Sequence, residues 1–550
     1  MQTQQPSALA SRLAVHPYLD GLLQHAARSF DAGEHEDAEV ICQQLITLAP
    51  DKPMGYSLMS RLCLLKGQVR PATLNAFLAS QRAAGSHWKD ILSISSSLIE
   101  VGEYHLAYDV LSCIDPRDPA NRDGLLELGR QYGALQDRQR ALDCIELARS
   151  LGCTGWLASH FLGAALGSAG RVEQAIAACE DSIAQHPSYG RGHWSRAQFA
   201  SKQGAGQRVA RIREAIATPG LGNGDTTHMH YALFKELDAL ERTDEAWQAL
   251  MAGASARRID TEFNVEKENR AFDALIRVAS ARFLDRCGAP PTEVTPIFIV
   301  GMPCAGANLL EGILGAHPQI AICGQLDDFL KQMQWVNNVR LPAQVDGNFG
   351  NFVAHLNYNV LGRRYLEKTR WLADGKAFSS DANPMNFMLC GMILRALPHA
   401  RIIHMRRHPM DSCFHTLEEL FANGAHPYSY TLAELANHYR NYDRLMQHWH
   451  GIAPGRILDV RYEDLVAQPE LQAKRVQKYL GLPAVGNAAG LPATSDISAA
   501  CAATIRQPNP GRSIGGWRRY EKGLAPLQSL LSAHIDAYQA PGRAILLSRL

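Results

Sequence analysis

TPIFIVGMPCAGANLLEGILGAHP, residues 295–318, decides the fold of the second half of this chain. Ile297 to Val300 is an apolar run rich in β-branched residues and ends at Gly301. Met302 to Gly306 is a short loop, and Asn308 to Leu314 is amphipathic with helical spacing. Strand, tight turn and helix in that order aim backbone N–H groups from a helix N-terminus, the geometry that holds a phosphate. The loop carries Cys304 and Ala305 where a phosphate cradle wants a cation and hydroxyls. Three alternatives follow: a nucleotide site, the remains of one, or one rebuilt for other chemistry.

Working outward, further strand-like runs occur at Ala400 to Met405 and Arg456 to Val460, with helical stretches such as Asn386 to Leu397 and Leu432 to His450 between them. Alternation of this kind predicts a parallel sheet with helices on both faces. Ligands of such sheets sit beyond the carboxyl ends of the strands, so the loops after Gly301, Arg406 and Val460 are expected on one rim. RCGAPPTEVTP (286–296), with paired prolines, reads as a linker.

The first half is periodic. Leu128, Gly129, Tyr132, Ala141 and Ile145 are answered 34 residues later by Leu162, Gly163, Leu166, Ala175 and Cys179. Ala38, Ala72 and Ala107 extend the series upstream, each behind a turn bearing Gly33, Gly67 or Gly102. Period and residue types together resemble the tetratricopeptide repeat, in which small residues let two antiparallel helices approach. Five repeats are clear, a sixth at about 190–217 is poorer, and a final helix pair spans 231–253. The expected organisation is an N-terminal segment (1–16), an all-α repeat solenoid (17–285), a linker (286–294) and an α/β domain with a parallel sheet (295–550). Such arrays usually offer a surface to a protein or peptide partner; homodimerisation is the other use.

The 550 residues carry 55 basic and 54 acidic side chains, for a net charge of +1, which argues against a nucleic-acid binder. No apolar run reaches membrane-spanning length, and the N-terminus lacks the pattern of a signal peptide. The 12 cysteines include no CxxC pair; Cys42, Cys63, Cys144 and Cys179 fall in apolar helical patterns as reduced core residues. A cytoplasmic protein without a metal site is expected.

The motifs of the second half resemble those of sulfotransferases. PIFIVGMP with its glycine loop is similar to the 5′-phosphosulfate loop, ARIIHMRRHPMDSC to the 3′-phosphate segment, and VRYEDLVAQPE followed by KYLGLP to a further family signature. RQPNPGRSIGGWRRYEKGLAPL (506–527) resembles the loop that closes over the nucleotide. Repeats fused to this domain look like the bacterial repeat-containing sulfotransferases, relatives of the protein-tyrosine sulfotransferases. The resemblance implies binding of 3′-phosphoadenosine 5′-phosphosulfate (PAPS), or its product PAP, and sulfuryl transfer to a hydroxyl, tyrosine being one candidate. It implies a binding set of Cys304, Ala305, Gly306, Ala307, Asn308, Arg407, His415, Gly515, Trp517, Arg518 and Arg519.

The lining departs from the family. Cys304 to Asn308 replace a loop that elsewhere supplies a cation and three hydroxyls. Loss of one transition-state donor typically costs about 3 kcal/mol. Gln325 stands where the family has a glutamate base, and Asp327 and Asp328 are read as caps of the following helix. Arg407 matches the 3′-phosphate arginine, but His415 replaces a serine; Ser412 is a hydroxyl at the wrong offset. Ion pairs with Glu521 or Asp464 are the structural alternative for Arg518 and Arg519, while Tyr462, Glu463 and Asp464 read as fold-stabilising. The insertion at about 335–372 is expected on the acceptor side. Three functions compete: a sulfotransferase with a divergent site, an inactive scaffold that binds partners or peptides, and an enzyme rebuilt around Cys304 as nucleophile and His415 as base, with Cys323 on the same rim.

Overall fold

The computed structural model describes residues 8–285, 288–290, 292–483 and 513–540. Residues 286, 287 and 291 of the expected linker, and 506–512 of the expected closing loop, lie outside them. Helices pair along the first half: Ala8–Asp31 with His35–Leu48, Met54–Leu65 with Val69–Ser80, Trp88–Val101 with Tyr104–Leu111, and Leu125–Ala134 with Arg138–Ser150. Trp156–Ser168 pairs with Val172–Gln185, Gly190–Ala197 with Ala205–Ile216, and Asn223–Ala239 with Thr243–Ile259. The helix expected after an N-terminal segment begins at Ala8 and runs through residue 17.

Each hairpin turns on one residue with left-handed backbone: Gly33, Gly67, Gly102, Gly170 and Gly204, with Gln136 (φ 66°) and Glu241 (φ 61°) in the other two. This is why glycine recurs with the period. The small residues act as expected: Ala38, Ala72, Ala107 and Ala175 are fully buried, and a Cβ on Gly163 would stand 2.7 Å from Cys179 Sγ. Cys42, Cys63, Cys144 and Cys179 are buried core residues.

The chain divides into two compact units. One comprises Met1–Leu151 with Asp327–Pro342; the other comprises Gly152–Leu326 with Ala343–Leu550. In the first unit the helix Asp328–Asn337 lies against the hairpins. Arg70 Nε donates to the Trp335 carbonyl (3.0 Å), Lys331 Nζ to the Glu100 carbonyl (2.7 Å), and Arg70 N–H to Asn338 Oδ1 (2.7 Å). Asp327 stands at that helix's N-cap without a side-chain cap bond and accepts from Tyr104 OH instead. The insertion expected at the acceptor side thus has residues 335–342 in this unit and the rest in the other.

The second unit holds a five-stranded parallel sheet in the order β2-β3-β1-β4-β5: β1 (Thr295–Gly301), β2 (Ile320–Ala321), β3 (Phe378–Asp381), β4 (Arg401–Arg406) and β5 (Ile457–Arg461). Ile297 to Val300 are fully buried in the central strand, covered on both faces, which explains a run without polar interruption. The last hairpin and the helix that follows it, Val265–Val278, pack directly on this sheet domain. Arg258 bonds Glu434 (2.9 Å), His438 Nδ1 meets Glu268 Oε1 (2.7 Å), and Phe272 stacks on Phe387 (6.1 Å). The described linker residues pack too, Ala289 N–H donating to the Ala396 carbonyl (2.9 Å).

Candidate functional site

Beyond β1 the chain reverses through Met302–Gly306 into the helix Ala307–Leu314. Gly306 has φ 101°, and a Cβ there would be 2.4 Å from the Tyr462 ring, so two independent features call for glycine. The first helical bond runs from Leu310 N–H to the Gly306 carbonyl, and among the described residues no side chain caps the helix, so the amides of Ala307, Asn308 and Leu309 remain for an anion. Ala305 is buried, and its N–H donates back to the Met302 carbonyl (3.3 Å).

Cys304 is exposed, with left-handed backbone (φ 59°). Surrounding protein strips water from its thiol on the other sides. Burial, then Glu419, pushes it up to about 12 against the opposing effect of Arg407. The thiol therefore keeps its proton at neutral pH, because dehydration and a carboxylate outweigh the helix N-terminus.

The loops after β1, β4 and β5 meet at Arg407. Its Nη1 donates to the Cys304 carbonyl (2.8 Å), its Nη2 to the Ser513 carbonyl (2.7 Å), and its guanidinium lies 4.4 Å from the Tyr462 ring centre. Arg407 is 6% exposed, has no carboxylate partner among the described residues, and keeps a buried Nε without an acceptor. Ser412 Oγ is likewise buried and unpartnered among them. Tyr462, read from sequence as fold-stabilising, forms the floor of this site; its hydroxyl meets Ser513 Oγ (2.9 Å).

His415 has both ring nitrogens engaged away from Cys304: Nδ1 with Glu418 Oε1 (2.5 Å) and Nε2 with the Ser513 carbonyl (3.2 Å). The Cys304–His415 pair of the third reading is not formed. Cys323 is buried with Ala321, Leu326 and Leu372 rather than on the rim. Gly515 N–H donates to Asp411 Oδ2 (2.8 Å), and Trp517 stacks on His408. Arg518 lies 5.1 Å from the Trp517 ring centre. Arg519 pairs with Asp238 (2.6 Å), on the helix Asn223–Ala239, and not with Glu521 or Asp464.

On the other side of β1, Gly324 (φ 71°) turns the chain so that Gln325 is exposed. Buried Asp381, at the end of β3, fixes this turn by accepting from the N–H groups of Asn383 (3.1 Å) and Leu326 (3.4 Å). Burial pushes its carboxyl up to about 7, against those N–H groups. Sequence reasoning did not select Asp381 because its role is to hold the turn, not to face it.

His404, His450 and Asp459 bring ligand-type atoms within 4.8 Å of one another. Asp459 already accepts from His404 Nδ1 (2.8 Å), His450 Nε2 (2.9 Å) and Arg406 Nη1 (3.2 Å). The arginine's charge makes this a hydrogen-bonded hub rather than a metal centre. No described helix is long and apolar enough to cross a membrane.

Residues 296–485 match the model of the sulfotransferase family. A putative protein-tyrosine sulfotransferase of Caenorhabditis briggsae is 25% identical over 200 residues, 34% of this chain and 65% of that protein. An uncharacterized protein of Aquifex aeolicus (strain VF5) is 22% identical over 387 residues, 68% of this chain and 50% of that protein. The chain therefore spans between half and two thirds of these relatives' length. Among solved structures, a tetratricopeptide repeat protein from Parabacteroides merdae aligns at TM-score 0.32 and 16% identity, covering 43% of this chain and 93% of its own. Sulfotransferase STF9 from Mycobacterium avium aligns at 0.28 and 14%, covering 62% and 97%. Those scores are low, and the fold stands on the elements described above.

Proposed function

From a C-terminal half that carries a sulfotransferase-family domain, we propose that this protein binds PAPS or PAP beyond β1 and β4 and transfers a sulfuryl group to a hydroxyl on a polypeptide. The single observation that carries donor binding is Arg407. A buried guanidinium without a carboxylate partner among the described residues is costly unless an anion joins it, and its Nε, without an acceptor among them, supplies the bond that such an anion accepts. The uncapped amides of Ala307 to Leu309 would hold the other anionic end. PAPS when bound supplies an activated sulfuryl group. For its part the chain orients the donor, and Gln325 can position a hydroxyl but cannot take its proton. A polypeptide acceptor is supported by the helical hairpins of the first half, and tyrosine by the likeness to the putative protein-tyrosine sulfotransferase of Caenorhabditis briggsae.

A second reading is favoured by one specific observation: neither exposed Gln325 nor the protonated Cys304 thiol is a base at neutral pH. On that reading the domain binds nucleotide without turnover and the repeats serve as a scaffold. Calorimetry with PAP tests the first claim, and binding is expected. No heat at millimolar nucleotide would remove donor binding altogether. Labelled PAPS with tyrosine-containing peptides then separates the two readings by whether label is transferred.

A further inference from the structure

The loop after β1 has no cation of its own, but Lys235 is linked to it through a short chain of side-chain contacts. Lys235 is carried by Asn223–Ala239, the first helix of the last hairpin. Its Nζ is 3.7 Å from Glu418 Oε2, and no acceptor lies within hydrogen-bond distance of it among the described residues. The buried pair Arg208 and Glu236, in the same unit, is closed to 2.7 Å. The wider gap leaves the ammonium's N–H groups for another oxygen. The side chain is 23% exposed, so a ligand can reach it.

Contacts tie Lys235 to the anion site. Glu418, its neighbour, bonds His415 Nδ1; His415 Nε2 approaches the Ser513 carbonyl; Arg407 donates to that carbonyl and to Cys304. Burial pulls Lys235's pKa down, but Glu418, Glu419, Asp238 and Cys304 outweigh it, so the ammonium is charged at neutral pH. Its charge acts on the thiol of Cys304, the position at which the family resemblance puts the missing cation.

The geometry points to Lys235 as the residue that binds the 5′-phosphosulfate end of the donor, a cation lent to the loop by the repeat region. This rests on the donor-binding reading above. Glu418 and Glu419 face the same space and oppose the anion, so Glu418 supplies a complementary variant.

The test is calorimetric titration of the full chain with PAP and with adenosine 3′-monophosphate, which lacks the 5′ group. Lys235→Met should weaken PAP by about tenfold or more and leave the monophosphate within about twofold, since one charge-assisted contact is lost. Lys235→Arg should retain most of the PAP affinity, and Glu418→Gln should tighten it. The inference is overturned if Lys235→Met leaves PAP unchanged, or weakens both nucleotides equally as a structural residue would. Failure of the unaltered protein to bind either nucleotide would instead remove the donor-binding reading.

Discussion

Replacing Arg407 with methionine separates a structural staple from a ligand-binding residue. The guanidinium bonds two carbonyls, at 2.8 and 2.7 Å. Bonds from a charged donor are each worth about 1.5–3 kcal/mol, a gross loss of about 3–6 kcal/mol. Against this, Arg407 is a buried charge without a carboxylate partner among the described residues, and an apolar replacement of similar stem relieves several kcal/mol of desolvation. The net cost without ligand should be about 2 kcal/mol or less. With PAP the balance changes: a ligand at a hundred times its Kd stabilises the native state by about 2.7 kcal/mol, and the methionine variant should forfeit that gain. Urea unfolding with and without PAP reads both quantities as midpoints of the transition. The reasoning is refuted if Arg407→Met drops stability by about 4 kcal/mol or more while PAP fails to move the midpoint of the unaltered protein. Arg407 would then hold three loops together and nothing else.

Gly306→Ala meets both a positive φ of 101° and the Tyr462 ring at 2.4 Å. It should cost about 2–4 kcal/mol in urea unfolding and abolish PAP binding, and a variant that keeps both would show the loop to be soft. Gln136→Gly, at the hairpin turn with φ 66°, should stabilise by about 0.5–1 kcal/mol in the same assay, whereas the same change at an exposed mid-helix site destabilises. Asp381 holds its proton up to about 7 in the folded state and to 3.8 when unfolded. The folded chain thus binds the extra proton between those values, and stability should fall as pH rises from about 4 to 7, by at most about 4 kcal/mol. Asp381→Asn should flatten that fall, and an unaltered slope would assign it to other groups. Gln325→Glu should raise transfer of label from PAPS by about a hundredfold or more without changing PAP affinity; no gain in a variant that binds PAP would place the deficit elsewhere.

What was legible in the sequence follows from what each element must bury. β1 declared itself because both its faces are covered, and the hairpins did because one turn residue and one small residue recur in each. β3 was not legible: FSSD is polar at three of its four positions, and the structure uses that polarity. Ser380 Oγ accepts from Cys323 N–H (3.1 Å) and donates to Glu311 (2.5 Å), while Asp381 anchors the Gln325 turn. The family motifs located the loop and Arg407, but side chains arriving from distant segments were out of reach. The partner of Arg519 is Asp238, 281 residues away, and Lys235 arrives from the same helix.

These distant contributions bear on which part of the chemistry the replaced residues affect. On the proposed reading, holding the donor and removing the acceptor's proton are separate tasks, on opposite sides of β1 in the sheet order. The donor side retains its means: free amides at a helix start, a buried guanidinium short of one acceptor, and an ammonium with unused N–H groups. On that reading the acceptor side has a firmly held turn but no base. Ala382 N–H bonds the Gly324 carbonyl (2.8 Å) and Asp381 bonds Leu326 N–H, so the turn that presents Gln325 is held as firmly as a catalytic turn needs to be. On the proposed reading, a side chain fixed in place and inert toward a proton would lower the rate of transfer and leave affinity for the donor untouched. Nucleotide binding is therefore the property on which the active and inactive readings agree, and proton removal is the step at which they part.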